Sequence, residues 1–194
     1  ISGVKWSAFS AILLAILQVV QLMILTRYLS PSDFGLMAIL MVVIGFAQIF
    51  IDVGMSNAII YYSKITRTQL SSLYWVNILM ALLLTVVTVV FAPYISVLYN
   101  EPRMASLLRD LSLVFILGGM GSQYRVLCQK ELMFDKISKV DILSSLVSFV
   151  VVVFLIVKGF GLYSLIYSTL LNVALSSLLY MRIGFRSYGV PSFV

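Results

Sequence analysis

The stretch LTRYLSPSDFG, residues 25–35, separates the first two long apolar runs of the sequence. It brings an arginine, a proline, an aspartate and a glycine close together in a chain that is 62% hydrophobic and 10% charged. Soluble domains are about half apolar and about a quarter charged, and a chain of 194 residues cannot bury so much apolar surface within itself. We therefore expect most of the chain to lie in lipid, with residues 25–35 forming a turn between two spanning helices.

Six apolar runs are long enough, or nearly so, to cross a bilayer, which takes about 20 residues of helix. The predicted spans are residues 6–26, 34–51, 73–94, 111–127, 142–157 and 162–180. The sequence thus predicts an all-α membrane protein with six transmembrane helices over residues 1–194. The first run has no small-residue cleavage site, which favours a spanning helix over a signal peptide. Because the chain begins at Ile1 rather than at a methionine, we expect a fragment of a longer protein.

Basic residues are distributed unequally between the two ends of these spans. The net charge is +6, from 13 Lys+Arg and 7 Asp+Glu. One side would carry nine basic residues: Lys5, Lys64, Arg67, Arg125, Lys130, Lys136, Lys139, Arg182 and Arg186. The other would carry four: Arg27, Arg103, Arg109 and Lys158. By the positive-inside rule the first side is cytoplasmic, which places both termini inside and residues 25–35 outside. Basic residues between apolar runs indicate lipid headgroups rather than nucleic acid as their partner.

Polar side chains recur at helical spacing within the spans, which indicates that each helix has one face turned away from lipid. The larger ones are Gln18 and Gln21 in the first span, Asn77 in the third and Asn172 in the sixth. Their amides would suit a water-filled cavity and would equally suit hydrogen bonds between packed helices, and the sequence leaves both interpretations open. The glycines and serines on the same faces favour helix packing.

Three ionisable residues lie near the ends of predicted spans. Arg27 ends the first span, Asp52 ends the second, and Arg125 lies near the end of the fourth. An unpaired charge in a bilayer is costly, so each side chain must reach the headgroups, find a partner or face water. Asp33 is the acid nearest to Arg27 along the chain, and we expect a local pair between them. Arg27 and Asp52 should lie near opposite faces of the membrane.

The turn itself has the residue types that end one helix and start another. Pro31 and Gly35 are expected to form the turn, and Ser32 or Asp33 is expected to cap the second helix.

Motifs for catalysis and metal binding are absent from the sequence. There is no histidine and only one cysteine, Cys128, which excludes a disulfide within the chain and removes the commonest metal ligand. The acidic residues are scattered singly, so no carboxylate pair for acid–base chemistry stands out. We therefore expect no enzyme activity, no metal and no cofactor. A coupling ion, H+ or Na+, is compatible with the sequence, which does not distinguish the two.

Several segments carry a resemblance to a known family: VKWS at residues 4–7, TRYLSPSDFG at 26–35, IDVGMSNAII at 51–60, LYWVN at 73–77 and KELMF at 130–134. They resemble the bacterial polysaccharide flippases, in particular the colanic-acid and lipopolysaccharide exporters (Wzx-like) of the multidrug/oligosaccharidyl-lipid/polysaccharide exporter superfamily. The pattern R-x-L-S-P-x-D-F-G is the most specific of these segments. The resemblance implies two six-helix lobes around a central cavity, and this chain matches only the first lobe.

The resemblance also implies a function, namely flipping of an undecaprenyl-diphosphate-linked oligosaccharide across the inner membrane by alternating access. Arg27 is then expected to contact the diphosphate or to stabilise an outward-facing state, because arginine binds phosphate bidentately. Five more residues complete the expected substrate pathway: Gln18, Gln21, Asn77, Asn172 and Arg125. Four have expected gating or structural roles: Asp33, Asp52, Pro31 and Gly35. The expected partners are the lipid-linked sugar, membrane lipid and the second lobe.

Other functions are weighed against this one. A cation-coupled drug exporter of the same superfamily would need a buried acid in mid-membrane, and no Asp or Glu lies in the middle of a predicted span. A non-transporting scaffold of a polysaccharide-synthesis complex would need no polar faces inside the membrane. A membrane glycosyltransferase would need an acid pair. The residues thus favour the flippase.

Overall fold

The computed structural model describes residues 2–61 and 66–189, without the side chains of residues 2–5, 48–61, 67 and 187–188. This part of the chain forms six α-helices and no strand. They are α1 (Ser2–Leu25), α2 (Pro31–Tyr61), α3 (Arg67–Leu98), α4 (Arg103–Lys130), α5 (Phe134–Val157) and α6 (Tyr163–Tyr188). The predicted all-α fold is confirmed.

Five of the helices are long and apolar enough to cross a membrane, and α2 has a shorter apolar segment, Pro31–Ala47, within its described side chains. Large apolar side chains point out of the bundle. Ile12, Val42, Leu79 and Phe154, on four different helices, are each more than half exposed. A contiguous apolar exterior of this kind suits a bundle surrounded by lipid.

The helices extend beyond the apolar runs from which they were predicted. α5 begins at Phe134 rather than at residue 142, α4 begins at Arg103, and α2 continues to Tyr61. Asp52 therefore lies within α2 and not at its end, contrary to the prediction, while its side chain lies outside the described residues. Hydropathy detects only the part of a helix that suits the hydrocarbon core, whereas the polar ends reach headgroups and water.

The turn between α1 and α2 is closed by a capping box. The backbone N–H of Asp33 donates to Ser30 Oγ at 3.3 Å, and the backbone N–H of Ser30 donates to Asp33 Oδ2 at 3.1 Å. Pro31 is the first residue of α2, where its missing N–H leaves no hydrogen bond unmade. The cap is thus Ser30 acting with Asp33. Of the two residues expected to cap α2, Asp33 takes part and Ser32 does not.

Gly35 lies inside α2 rather than in the turn, contrary to the prediction. A Cβ added at this position would meet no atom within 4 Å. A glycine in a helix costs about 1 kcal/mol relative to alanine, which a long apolar helix tolerates. The sequence suggested a turn at Gly35 because it closely follows Pro31 and Asp33, which are common turn residues but here start α2.

α4 is the centre of the bundle, in contact with α2, α3, α5 and α6. Small residues bring its neighbours close. A Cβ at Gly119 would lie 2.9 Å from Ala81 Cβ on α3, and a Cβ at Gly121 would collide with the backbone of Ser177 on α6. Close backbone approach of this kind drives helix packing in lipid, where no hydrophobic effect pulls helices together.

α1 and α2 leave their shared turn and pack on different partners. α1 packs along α5, whereas α2 packs on α4 and α3, and α6 lies between α4 and α5 in contact with both. α1 and α2 therefore diverge from their shared turn, and we call the gap between them the cleft and these two helices its rims. At the end that carries Pro31 the rims meet, because Phe34 of α2 packs against Leu25 and Leu29 and against Val152 of α5. We call this the Pro31 end, and the opposite end, which carries the α4–α5 turn, the Lys130 end.

Candidate functional site

Gln18 and Gln21 lie on α1 beside the face that packs on α5. Gln18 is exposed and Gln21 is partly buried. The most exposed apolar residues of α1 lie on its other side: at about 100° per residue, Gln18 is about 140° from Met23 and Gln21 about 160° from Val19. We assign the apolar side to lipid and the side with the two amides to the interior of the bundle.

The partly buried side of α6 carries several polar residues. Asn172 Nδ2 donates to Ser145 Oγ of α5 at 3.4 Å, near the limit for a hydrogen bond. Thr169 and Ser176 are partly buried, and their hydroxyls donate to backbone carbonyls one turn earlier in α6, at 2.8 and 3.0 Å. Tyr167, one of the exposed residues of α6, is about 160° from Thr169 around the helix. The polar side of α6 thus faces away from its lipid side.

Asn77 lies in the interface between α3 and α4 and not on an open surface. Its side chain is 2% exposed, and its Nδ2 donates to the Gly119 carbonyl at 2.7 Å and to Ser122 Oγ at 3.0 Å. Gln123 serves the same interface, since its Nε2 donates to the Leu70 carbonyl at 2.9 Å. Of the two interpretations that the sequence left open for Asn77, this location favours a hydrogen bond between packed helices.

Arg27 and Asp33 do not form the local pair that the sequence suggested. Asp33 Oδ1 instead accepts a hydrogen bond from Nη1 of Arg103, the first residue of α4, at 3.3 Å. The reason is that α2 packs on α4, which brings the start of α4 beside the turn. Arg27 is exposed in the turn and forms no ion pair with any residue of the described chain.

Arg125 belongs to a network that joins three helices near the Lys130 end. Its Nη2 donates to Asp141 Oδ2 of α5 at 3.0 Å, and Tyr180 Oη of α6 donates to Asp141 Oδ1 at 2.9 Å. The guanidinium carbon lies 5.8 Å from the centre of the Tyr180 ring, a cation–π distance. The Arg125 side chain is 47% exposed and that of Asp141 is 21% exposed.

Sequence reasoning found Arg125 but missed its two partners. Asp141 lies just outside the predicted fifth span, which begins at residue 142, and so was not considered with the ionisable residues of the spans. Tyr180 gave no signal, because a tyrosine near the end of a spanning helix is ordinarily an interfacial anchor.

Gln18 and Gln21 thus lie on α1, Asn172 lies on the polar side of α6 next to α5, and Arg27 and Arg125 lie at opposite ends of the bundle. Residues 24–188 match the family described as "Polysaccharide biosynthesis protein". The chain belongs to this family. The predicted resemblance to the polysaccharide exporters is therefore confirmed.

Curated relatives of this polysaccharide biosynthesis protein agree with the match. An "Uncharacterized membrane protein in cps region" of Klebsiella pneumoniae is 37% identical over 188 residues, which cover 97% of this chain and 39% of the relative. "Lipopolysaccharide biosynthesis protein WzxC" of Escherichia coli is 35% identical over 149 residues, 77% of this chain and 30% of the relative. "Succinoglycan biosynthesis transport protein ExoT" of Rhizobium meliloti is 30% identical over 164 residues, 84% of this chain and 33% of the relative.

The chain spans between 30% and 39% of the length of these three relatives. No solved structure matches it.

Proposed function

We propose that this chain is one six-helix lobe of a membrane transporter that flips an undecaprenyl-diphosphate-linked oligosaccharide across the bacterial inner membrane. The observation that carries the proposal is that amide and hydroxyl side chains lie on the inward sides of α1 and α6 in an otherwise apolar bundle. A membrane protein without a transport pathway would not need these polar side chains, because polar groups in a bilayer are costly. The names of the relatives agree with a role in polysaccharide biosynthesis and transport.

The chemistry of the cleft matches the proposed substrate. The amides of Gln18, Gln21 and Asn172 both donate and accept hydrogen bonds, as sugar hydroxyls require. Arg27 and Arg125 lie at opposite ends, and arginine binds phosphate oxygens bidentately. The substrate would meet one arginine on each side of the membrane. Asn77, enclosed between α3 and α4, is left out of this pathway.

A second six-helix lobe is part of the proposal. The cleft is open between α1 and α2, and the chain spans less than half of its relatives' length, which leaves room for a partner lobe that faces the cleft. Movement of the two lobes would alternately open the two ends. In the described conformation the Pro31 end is closed by the packing of Phe34, while the Asp33–Arg103 pair attaches the start of α2 to α4. By the positive-inside rule this closed end is the outer one, and both termini of the chain are cytoplasmic.

Transport without covalent chemistry fits the same residues, because the cleft presents amides, hydroxyls and arginines rather than an acid–base pair. Asp141 is an acid two turns inside α5, a feature that a cation-coupled drug exporter of the same superfamily would share. We favour the flippase because Asp141 is engaged by Arg125 and Tyr180 rather than left as a lone carboxylate.

The test is export in living cells. A strain that lacks the gene receives the full-length protein, either as wild type or with Gln18→Leu and Gln21→Leu together. We expect the double variant to lose surface polysaccharide and to accumulate the lipid-linked oligosaccharide at the cytoplasmic leaflet. The matched control is Val19→Leu, on the lipid side of the same helix, which should export normally. Normal export by a well-expressed double variant would show that the cleft is not the pathway.

A further inference from the structure

The network of Arg125, Asp141 and Tyr180 has a geometry that goes beyond joining helices. We propose that it is a phosphate-binding subsite at the Lys130 end of the bundle. In this subsite Arg125 binds the diphosphate of the lipid-linked substrate, and Asp141 and Tyr180 position its guanidinium. The proposal rests on the proposed function, because it states which part of that substrate binds at this end.

The first argument is the orientation of the guanidinium group. Asp141 holds Nη2 at 3.0 Å from one side, and the Tyr180 ring lies 5.8 Å from the guanidinium carbon. These two contacts fix the plane of the group and use one of its five N–H donors. Within the described residues, the remaining donors have no protein acceptor, and the side chain is 47% exposed. A fixed guanidinium with open donors is suited to bidentate contact with phosphate oxygens.

The second argument is that the helices do not need this network in order to pack. Gly121, one turn before Arg125, already lets α4 approach the backbone of α6 at Ser177. On the same interface, the absence of a side chain at Gly184 of α6 leaves the space that the Tyr124 ring of α4 fills. An ion pair whose arginine is half exposed adds little to such an interface. A binding role explains why a charged pair lies here.

The third argument concerns the carboxylate. While the subsite is empty, Asp141 balances the charge of Arg125. This lowers the free-energy cost of placing an arginine near the membrane interior. When phosphate oxygens compete for the guanidinium, Tyr180 Oη still donates to Asp141 Oδ1, so the carboxylate keeps a hydrogen-bond donor. Lys136 and Lys139 of α5 add positive charge at the same end of the bundle.

The experiment measures lipid binding to purified full-length protein in detergent by native mass spectrometry. The probes are undecaprenyl diphosphate, undecaprenol, which has the same tail without phosphate, and phosphatidylglycerol, which is anionic without that tail. We expect Arg125→Gln to weaken binding of undecaprenyl diphosphate by about tenfold or more, the loss typical of a hydrogen bond to a charged group. Binding of undecaprenol and phosphatidylglycerol should stay unchanged.

Two further variants separate positioning from folding. Tyr180→Phe keeps the ring but removes the hydroxyl, so Asp141 should hold Arg125 more strongly and undecaprenyl diphosphate should bind several-fold more weakly. Arg125→Lys should restore binding only in part, because an ammonium cannot make the bidentate contact. The matched control is Arg109→Gln, an exposed arginine of α4 about 160° away around the helix, which should bind all three lipids as wild type does.

Wild-type affinity for undecaprenyl diphosphate in folded Arg125→Gln protein would overturn the proposal. An equal loss for phosphatidylglycerol would also overturn it, because the site would then bind anionic lipid in general. If Arg125→Gln does not fold, Arg125→Lys provides the test. Wild-type affinity of that variant for undecaprenyl diphosphate would contradict the bidentate contact. If the wild-type protein binds neither undecaprenyl diphosphate nor undecaprenol, the proposed function itself fails. If the wild-type protein and all the variants bind undecaprenyl diphosphate equally well, only the subsite is contradicted.

Discussion

Asp33 of α2 and Arg103 of α4 are 70 residues apart in the sequence and 3.3 Å apart between Oδ1 and Nη1. The other carboxylate oxygen, Oδ2, accepts a hydrogen bond from Ser30 Oγ at 2.7 Å within the capping box. One acidic side chain therefore both starts α2 and attaches that start to α4. This double role makes Asp33 a key residue of the closed end of the cleft.

Replacing Asp33 should cost more stability than replacing its partner. Asp33→Ala removes the capping contact, typically worth about 1 kcal/mol, together with the ion pair. Arg103→Gln leaves the capping box in place and removes the pair with Asp33 and the exposed pair with Glu101. We expect a clear fall in the thermal unfolding temperature of the full-length protein in detergent for Asp33→Ala and a smaller one for Arg103→Gln. Equal falls for the two variants would mean that the ion pair, and not the cap, carries the effect.

Two glycines should respond oppositely to the same substitution. In Gly121→Ala the new Cβ meets the backbone of Ser177, which can move only if α4 and α6 separate, and overpacking of this kind costs about 1–3 kcal/mol. In Gly35→Ala the new Cβ meets no atom, and helix propensity favours alanine by up to about 1 kcal/mol. Unfolding temperatures of the two variants, measured side by side, check the prediction. A destabilised Gly35→Ala variant would show that this glycine has a role that its open surroundings do not reveal.

Asn77 should matter for folding rather than for transport. Asn77→Leu removes the hydrogen bonds to Gly119 and Ser122, and such bonds between membrane helices average about 0.6 kcal/mol. We expect a modest loss of thermal stability with normal export per folded molecule. Asn172→Leu, on the polar side of α6, is the matched comparison and should reduce export. If Asn77→Leu blocked export in a stable protein, Asn77 would belong to the pathway after all.

Arg27 should be essential for export. Arg27→Ala in the full-length protein is expected to abolish surface polysaccharide and to leave membrane insertion intact, because its guanidinium is exposed at the end of the cleft. Arg27→Lys should rescue export only in part if bidentate phosphate contact is the reason. Full rescue by lysine would instead indicate that charge alone is required. Arg109→Ala serves as the control for loss of an exposed arginine on the same side of the membrane.

The fold was largely predictable because apolar runs of helical length have few alternatives in a bilayer. The number of helices, their order and the turn around Pro31 were all predicted. The helix ends were not, since residues such as Phe134 and Arg103 begin helices outside the apolar runs. The capping role of Ser30 was missed because several residues of the stretch are compatible with the same turn chemistry.

The site was predictable in part. Helical spacing identified the amides of Gln18, Gln21 and Asn172, because polarity in an apolar helix has to face something other than lipid. It could not separate them from Asn77, since the same spacing serves a cleft and a dry interface. The pairs Asp33–Arg103 and Arg125–Asp141 form only because α2 packs on α4 and α4 packs on α5. A single sequence does not show which helices pack on each other.

The uneven packing of α1 has an evolutionary consequence. Only 11% of its span, Trp6–Leu25, is buried, because α5 is the helix along which it packs in the described bundle. Residues on its open side can mutate without disturbing the close contacts of α3, α4 and α6. Substitutions can therefore accumulate along α1 more freely than along α4. Relatives named for different polymers, lipopolysaccharide in one case and succinoglycan in another, should differ more along this rim than along α4.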